Sequence, residues 1–340
     1  MRLSCKINVM ISLWFWLYVG VAFAGDSWTR WKEQSGPIPL VNQSPIQLLF
    51  LQPEPDRAET LPTGHGAIRL NTTLTNTLLS EELQYDSATL DMEAVRTAFA
   101  VRYAVLPRLE IALSLPVIHH YSGFMDRFIL DVEQAFGDPR GIRSEQRADE
   151  FTYFVKKDEE TFISGSKNTT GIGDLTLRAK TKIWDQGQVL PTLSTRVCLK
   201  LPTGDQDLAF ASGETDWGFG LLFEKDVKAL SLYLNADVTF PGEAFDNAGV
   251  TLREFYTLMF GVEYRLRPRW SILSQLNYLT RPFEHTNTDL LNRRIFEILV
   301  GLHYQAGENT FIQAGGVEDI FDSADASADV TLFMNMGLNF

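Results

Sequence analysis

Eight basic residues stand at alternate positions in otherwise apolar runs: Arg69, Arg96, Arg102, Arg178, Lys180, Lys182, Arg196 and Lys200. Three acids, Asp237, Glu263 and Glu297, take the same kind of position further along the chain. Placed around a closed ring, the two sets make a basic wall facing an acidic wall. Such a lumen carries a transverse field that orients dipolar solutes and slows purely apolar ones. The alternative is that the charges pair across the lumen and fill it with a salt-bridged network.

Catalytic chemistry has fewer candidates. His119 and His120 are adjacent with Ser122 close by, a grouping that could bind a metal or hydrolyse lipid. Neighbouring residues of a strand face opposite ways, so one site is not expected to use both histidines. No Gly-x-Ser-x-Gly, His-Glu-x-x-His or glycine-rich phosphate loop is present. The sequence therefore reads as a non-enzyme, with no catalytic residue, metal site or cofactor. Asp158-Glu159-Glu160 reads as a solvated acidic run, at most a bridge through divalent cations to lipopolysaccharide.

The elements that position these residues have period 2. Phe340, Leu338, Met336, Met334, Leu332 and Val330 are apolar, and Asn339, Gly337, Asn335, Phe333 and Thr331 lie between them. That is a strand with one apolar and one wetter face. Comparable runs begin near Ile68, Val95, Leu109, Leu175, Leu193, Trp217, Leu230, Tyr256, Trp270, Phe296 and Thr310. Twelve strands result, each about the ~9–11 residues that a tilted membrane strand requires.

Composition agrees. The chain has 340 residues, is 45% hydrophobic and 12% aromatic, and carries a net charge of −13. Its mean hydropathy is only −0.08. The apolar fraction excludes disorder, and the mean hydropathy excludes a bundle of membrane helices. An apolar skin around a polar lumen averages to such a value. The acidic balance argues against a nucleic-acid partner.

Connections alternate in length. Short links lie at 106–108, 185–188, 226–228, 267–269 and 305–309, and long ones at 80–89, 120–171, 202–215, 241–253, 281–292 and 318–328. Tight turns at one end and long loops at the other are the outer-membrane pattern. The expected fold is all-β: a transmembrane antiparallel up-and-down β-barrel over residues 66–340, its turns and both termini on the periplasmic side.

The first residues supply an address. Arg2 and Lys6, the apolar run Ile7 to Val21, and Ala22-Phe23-Ala24 before Gly25 form a signal peptide over residues 1–24, cut between Ala24 and Gly25. The mature chain then keeps one cysteine, Cys198, so no intramolecular disulfide can form. Residues 25–65 are too rich in proline for a central strand, yet Ile46 to Leu51 is apolar. This segment is expected to be a periplasmic extension or a plug. In the 120–171 extracellular loop, Phe124, Phe128, Ile129, Val132 and Phe136 have helical spacing, ending at Gly137-Asp138-Pro139. A short helix is expected there, as a lid or as packing on the rim.

Gly337-Leu338-Asn339-Phe340 resembles the terminal-strand signal read by the bacterial barrel-assembly machinery. Further motifs are Asn42-Gln43-Ser44-Pro45, the Phe124 to Gly137 stretch, Gly171-Ile172-Gly173-Asp174-Leu175 and Leu201-Pro202-Thr203-Gly204-Asp205. With these, the chain resembles an uncharacterised family of proteobacterial outer-membrane barrels. That family is related to proposed transporters of aromatic-degradation (phenol meta-pathway) operons. The resemblance implies a bacterial outer-membrane location and a small solute. Partners expected are outer-membrane lipids, lipopolysaccharide and the assembly machinery, around a monomer. Function is read as a narrow or plugged channel. The alternatives are a non-conducting structural or surface-display barrel and an outer-membrane lipid hydrolase.

Overall fold

Alternating apolar and polar residues fit a ladder with lipid on one side and a wet lumen on the other. The computed structural model describes residues 35–340 except 84, 128, 130, 132–148, 285, 287 and 321–327. The expected signal peptide with its Ala24/Gly25 cleavage point, residues 25–34, and Phe128, Val132 and Phe136 of the loop stripe lie outside the described residues.

Twelve antiparallel strands form the barrel. They are β1 (Gly66–Glu82), β2 (Ser87–Leu106), β3 (Leu109–Tyr121), β4 (Leu175–Trp184), β5 (Thr192–Leu201) and β6 (Asp216–Val227). β7 (Leu230–Phe240), β8 (Phe255–Arg267), β9 (Trp270–Leu279), β10 (Ile295–Gln305), β11 (Thr310–Asp319) and β12 (Val330–Asn339) complete it. Each strand pairs with its neighbours in sequence. β1 pairs with β12 from Ala67↔Asn339 to Asn76↔Val330, which closes the ring.

At the seam, the Gly66 and Phe340 main chains exchange two hydrogen bonds of 2.8 Å. The Phe340 ring occupies the space that a Cβ on Gly66 would need, 2.5 Å away. Glycine there leaves the terminal ring room to lie on the first strand. Leu338 faces outward, and Gly337 faces inward beneath the Phe311 ring.

Leu70, Phe99, Leu113, Phe219, Phe260, Leu302 and Met334 are exposed on the outer surface, while their sequence neighbours face the lumen. A continuous apolar belt of this kind has no place in water and suits lipid. Trp184, Trp217, Phe240, Tyr256 and Trp270 lie at strand ends and are also exposed, as interfacial girdles are.

One expectation for the loop end is corrected. Residues 80–89 are not a long loop: β1 and β2 stay paired out to Glu82↔Ser87, so the connection shrinks to 83–86. The protruding edge of β2 is covered by a hairpin, Thr152–Lys157 with Glu160–Ser164, which saturates main-chain groups otherwise left open. The 120–171 loop thus adds strands of its own, and the expected short helix is there as well, at Met125–Arg127, Ile129 and Asp131. Of the two described stripe residues, Ile129 is buried together with Met125, whereas Phe124 is 64% exposed.

Candidate functional site

Residues 35–61 run inside the barrel as two legs joined by a turn. The first leg rises from the turn end toward the loop end along β8 to β12. The Gly36 N–H donates to Glu263 Oε2 (3.2 Å). At Ile38, one side-chain amide clamps the peptide from both sides: the Ile38 N–H donates to Gln275 Oε1 (3.1 Å), and Gln275 Nε2 donates to the Ile38 carbonyl (3.3 Å). Ile38 and Leu40 then pack on inward-facing Leu273, Leu299, Val317 and Phe333. Asn42 Nδ2 donates to Glu297 Oε1 (2.7 Å).

The turn contains a 3-10 segment, Gln47–Leu49, beneath an apolar cap. Phe50 meets Phe245, Phe255 and Phe283 edge-on, at 6.4, 6.4 and 5.5 Å between centroids. Leu90, Tyr153, Val155, Val250 and Leu290 from the loop end close over Ile46 and Leu49. Burial alone pushes the Tyr153 phenol up, which keeps it neutral under this cap.

The second leg descends along β3 to β7 and is held by charge. The Leu51 N–H donates to Asp216 Oδ2 (2.7 Å), and Lys200 joins Asp216 (3.1 Å), Asp174 (2.9 Å) and the Leu49 carbonyl (2.7 Å). Asp56 accepts from Lys180 at 2.9 Å and lies 3.4 Å from Arg178 and 3.6 Å from Arg102. Asn235 clamps the Asp56 peptide as Gln275 clamps Ile38, at 2.8 and 3.0 Å. Arg57 bonds Glu224 at 2.6 Å. Glu59 takes Lys182 (2.9 Å) and Thr192 (2.8 Å), and the Leu61 N–H reaches Glu110 Oε2 (3.1 Å).

The eight basic and three acidic residues singled out from the sequence all lie on the inner face, but not as two bare walls. Arg196 makes a two-pronged bond with Asp237, at 2.7 and 2.6 Å, so one member of each set is joined to the other. The strand between them makes this possible: a Cβ on Gly220 of β6 would lie 1.8 Å from Asp237 Oδ1. Lys180, Lys182, Lys200, Arg102 and Arg178 are partnered by acids from their own side of the ring or from the plug. Arg69 lies over the Phe311 ring (5.5 Å), and Arg96 is buried near Lys200 and Glu54. Glu263 is held by neutral donors, Tyr233 (2.8 Å) and Ser271 (2.5 Å), and Glu297 also accepts from Asn277 (3.4 Å).

Glu110, Asp174, Asp216 and Glu224 are inward-facing acids as well, outside the set singled out from the sequence. Glu110 and Glu224 were discoverable, since each alternates with outward apolar residues. Asp56 and Arg57 were not, because strand alternation says nothing about a plug. The histidines separate as their adjacency requires: His119 Nδ1 pairs with Thr170 Oγ1 (2.8 Å), while His120 is buried against Phe210 (4.7 Å) and Tyr153 (5.9 Å). Neither makes a Ser-His-carboxylate chain among the described residues.

The barrel is similar to the crystal structure of the COG4313 outer membrane channel from Pseudomonas putida F1. That comparison has a TM-score of 0.55 and 15% identity, and covers 83% of this chain and 98% of that one. At this identity the likeness is one of fold. Fainter matches are the KdgM porin (TM-score 0.39, 10% identity, 81% of this chain and 99% of that one) and the Ralstonia pickettii toluene transporter TbuX (0.37, 10%, 82% and 89%). No curated protein matches the sequence. A family model does, over residues 16–340: the chain belongs to the family described as protein of unknown function DUF3187.

Proposed function

We propose that this protein is an outer-membrane channel for small polar solutes, closed at rest by its own residues 35–61. The observation that carries the reading is the mode of attachment of the descending leg. A segment needed only to fill the barrel would be held most simply by apolar packing, and buried ion pairs are a weak source of stability. Here the leg is held by separable pairs to Asp216, Lys180, Glu224 and Lys182, which solvent and solute ions can replace. Displacing it exposes a lumen rich in Arg and Lys, which favours anions. The terminal strand, with Gly337, Leu338 and Phe340, serves as the signal for barrel assembly in this reading. The relation to transporters of aromatic-degradation operons rests on the short sequence motifs alone, and no aromatic solute is assigned.

The apolar cap around Phe50 favours a second reading, a non-conducting barrel that displays its loops. Single-channel conductance in planar bilayers decides between them. The mature chain is expected to show small, intermittent currents, and a chain lacking residues 25–60 larger, steady ones. Arg196→Glu should shift selectivity toward cations. Silence of both the mature and the shortened chain overturns the channel and leaves the display barrel.

A further inference from the structure

Between the descending leg and the wall formed by β1 to β5 lies a partly open space. Its wall is built of small side chains, including Ala67, Ala100, Ala112 and Cys198, and the plug offers Pro53 and Pro55 across it. Three guanidinium groups line the same space, those of Arg69, Arg102 and Arg178. Each has a buried Nε without a hydrogen-bond partner. Arg102 and Arg178 stand 3.6 and 3.4 Å from Asp56, longer than a charge-assisted hydrogen bond. Arg69 makes no ion pair or hydrogen bond among the described residues and stacks instead on Phe311.

A buried donor without an acceptor is costly, and three of them around one space make a receptor for an acceptor. Charge narrows the choice. On the lining three cations (Arg69, Arg102 and Arg178) meet two carboxylates (Glu54 and Asp56), while Lys180 and Glu110, like Arg196 and Asp237, pair with each other nearby. One positive charge remains, which a monoanion neutralises and a dianion overshoots. Planar guanidinium groups match the two oxygens of a carboxylate. Prolines and alanines suit a short apolar body.

We infer that this space binds a small organic monocarboxylate, its carboxylate held by Arg69, Arg102 and Arg178 and its apolar end against Pro53, Pro55 and Ala100. Asp56 is the plug's own carboxylate in the same cluster. A bound carboxylate therefore competes with it for Arg102 and Arg178 and loosens the descending leg. The inference deepens the channel reading by naming its solute class, and rests on that reading for the site's place on a solute path.

The test is a titration of the mature protein in detergent with sodium butyrate, butyramide and inorganic phosphate, following binding by calorimetry. Butyrate is expected to bind, with butyramide and phosphate at least about tenfold weaker, the difference of one charge-assisted hydrogen bond. Arg69→Gln, which breaks no bond to the plug, should weaken butyrate about tenfold or more. Asp56→Asn should tighten it by a similar factor, since the competitor loses its charge. The site is overturned if butyramide or phosphate binds as well as butyrate, or if Arg69→Gln leaves the affinity unchanged. Binding without conductance overturns the channel alone, and conductance without binding overturns the site alone.

Discussion

The two legs of the plug lie in one lumen yet are held by different physics. The rising leg meets β8 to β12 through Ile38 and Leu40 on Leu273, Leu299 and Phe333, with neutral donors around Glu263. The descending leg meets β3 to β7 through Asp56, Arg57 and Glu59 and the charges that face them. Burial of apolar area is not weakened by ionic screening and needs no partner of fixed geometry. An ion pair inside the lumen depends on its partner, and loses its attraction once water and salt enter. The contrast makes the rising leg an anchor and the descending leg the part that can let go. Both are tied to one turn at Phe50, so release of the second need not drag out the first.

The largest effect should come from breaking a pair beside the descending leg. Arg196→Met removes the cation from buried Asp237 and from the Pro53 and Glu54 carbonyls. Leaving a buried charge unpaired costs about 3–5 kcal/mol. Amide hydrogen exchange should show protection of residues 51–61 falling by about two to three powers of ten, with residues 35–42 nearly unchanged. Equal loss in both legs would mean that the plug leaves as one body. Ile38→Ala should act on the other leg and more weakly, since a cavity at a buried aliphatic residue costs about 2–4 kcal/mol. Exchange should then quicken in 35–42 first. Raising salt from 0.1 to 1 M, which shortens screening from ~10 to ~3 Å, should add to the first substitution and not to the second.

This contrast was only half legible in the sequence. The barrel was readable because lipid forces a strict period of 2, and Leu70, Phe99 and Leu332 could take no other face. The lumen obeys no such rule. In β9 and β10, Ile272-Leu273 and Ile298-Leu299 are apolar on both faces, and that break in alternation marks where the rising leg docks. It reads as noise until something apolar is known to lie inside. The glycines of β6 likewise name no partner by their type, whereas Gly220 is the gap through which Arg196 reaches Asp237. The loop at 120–171 was legible in part. Helical spacing is a local signal and gave the short helix that begins at Met125, whereas the open edge of β2 is a long-range demand, met by Thr152–Lys157, that no local spacing announces.

The smallest expected effect is also the control on the whole comparison, because the two legs share one device. Gln275 grips both polar groups of the Ile38 peptide, and Asn235 grips both of the Asp56 peptide. Gln275→Met and Asn235→Leu each strip one peptide of two hydrogen bonds without changing charge, at about 1–3 kcal/mol apiece. The clamps bond main chain, so their worth should not depend on the side chains nearby. Each substitution should therefore quicken exchange in its own leg by a comparable factor, at low and at high salt alike. If Asn235→Leu frees the descending leg far more than Gln275→Met frees the rising one, the ion pairs were not holding it, and the difference between the legs lies in the peptide clamp. Equal losses place the difference where the charges are, in Asp56, Arg57 and Glu59 and their partners on the wall.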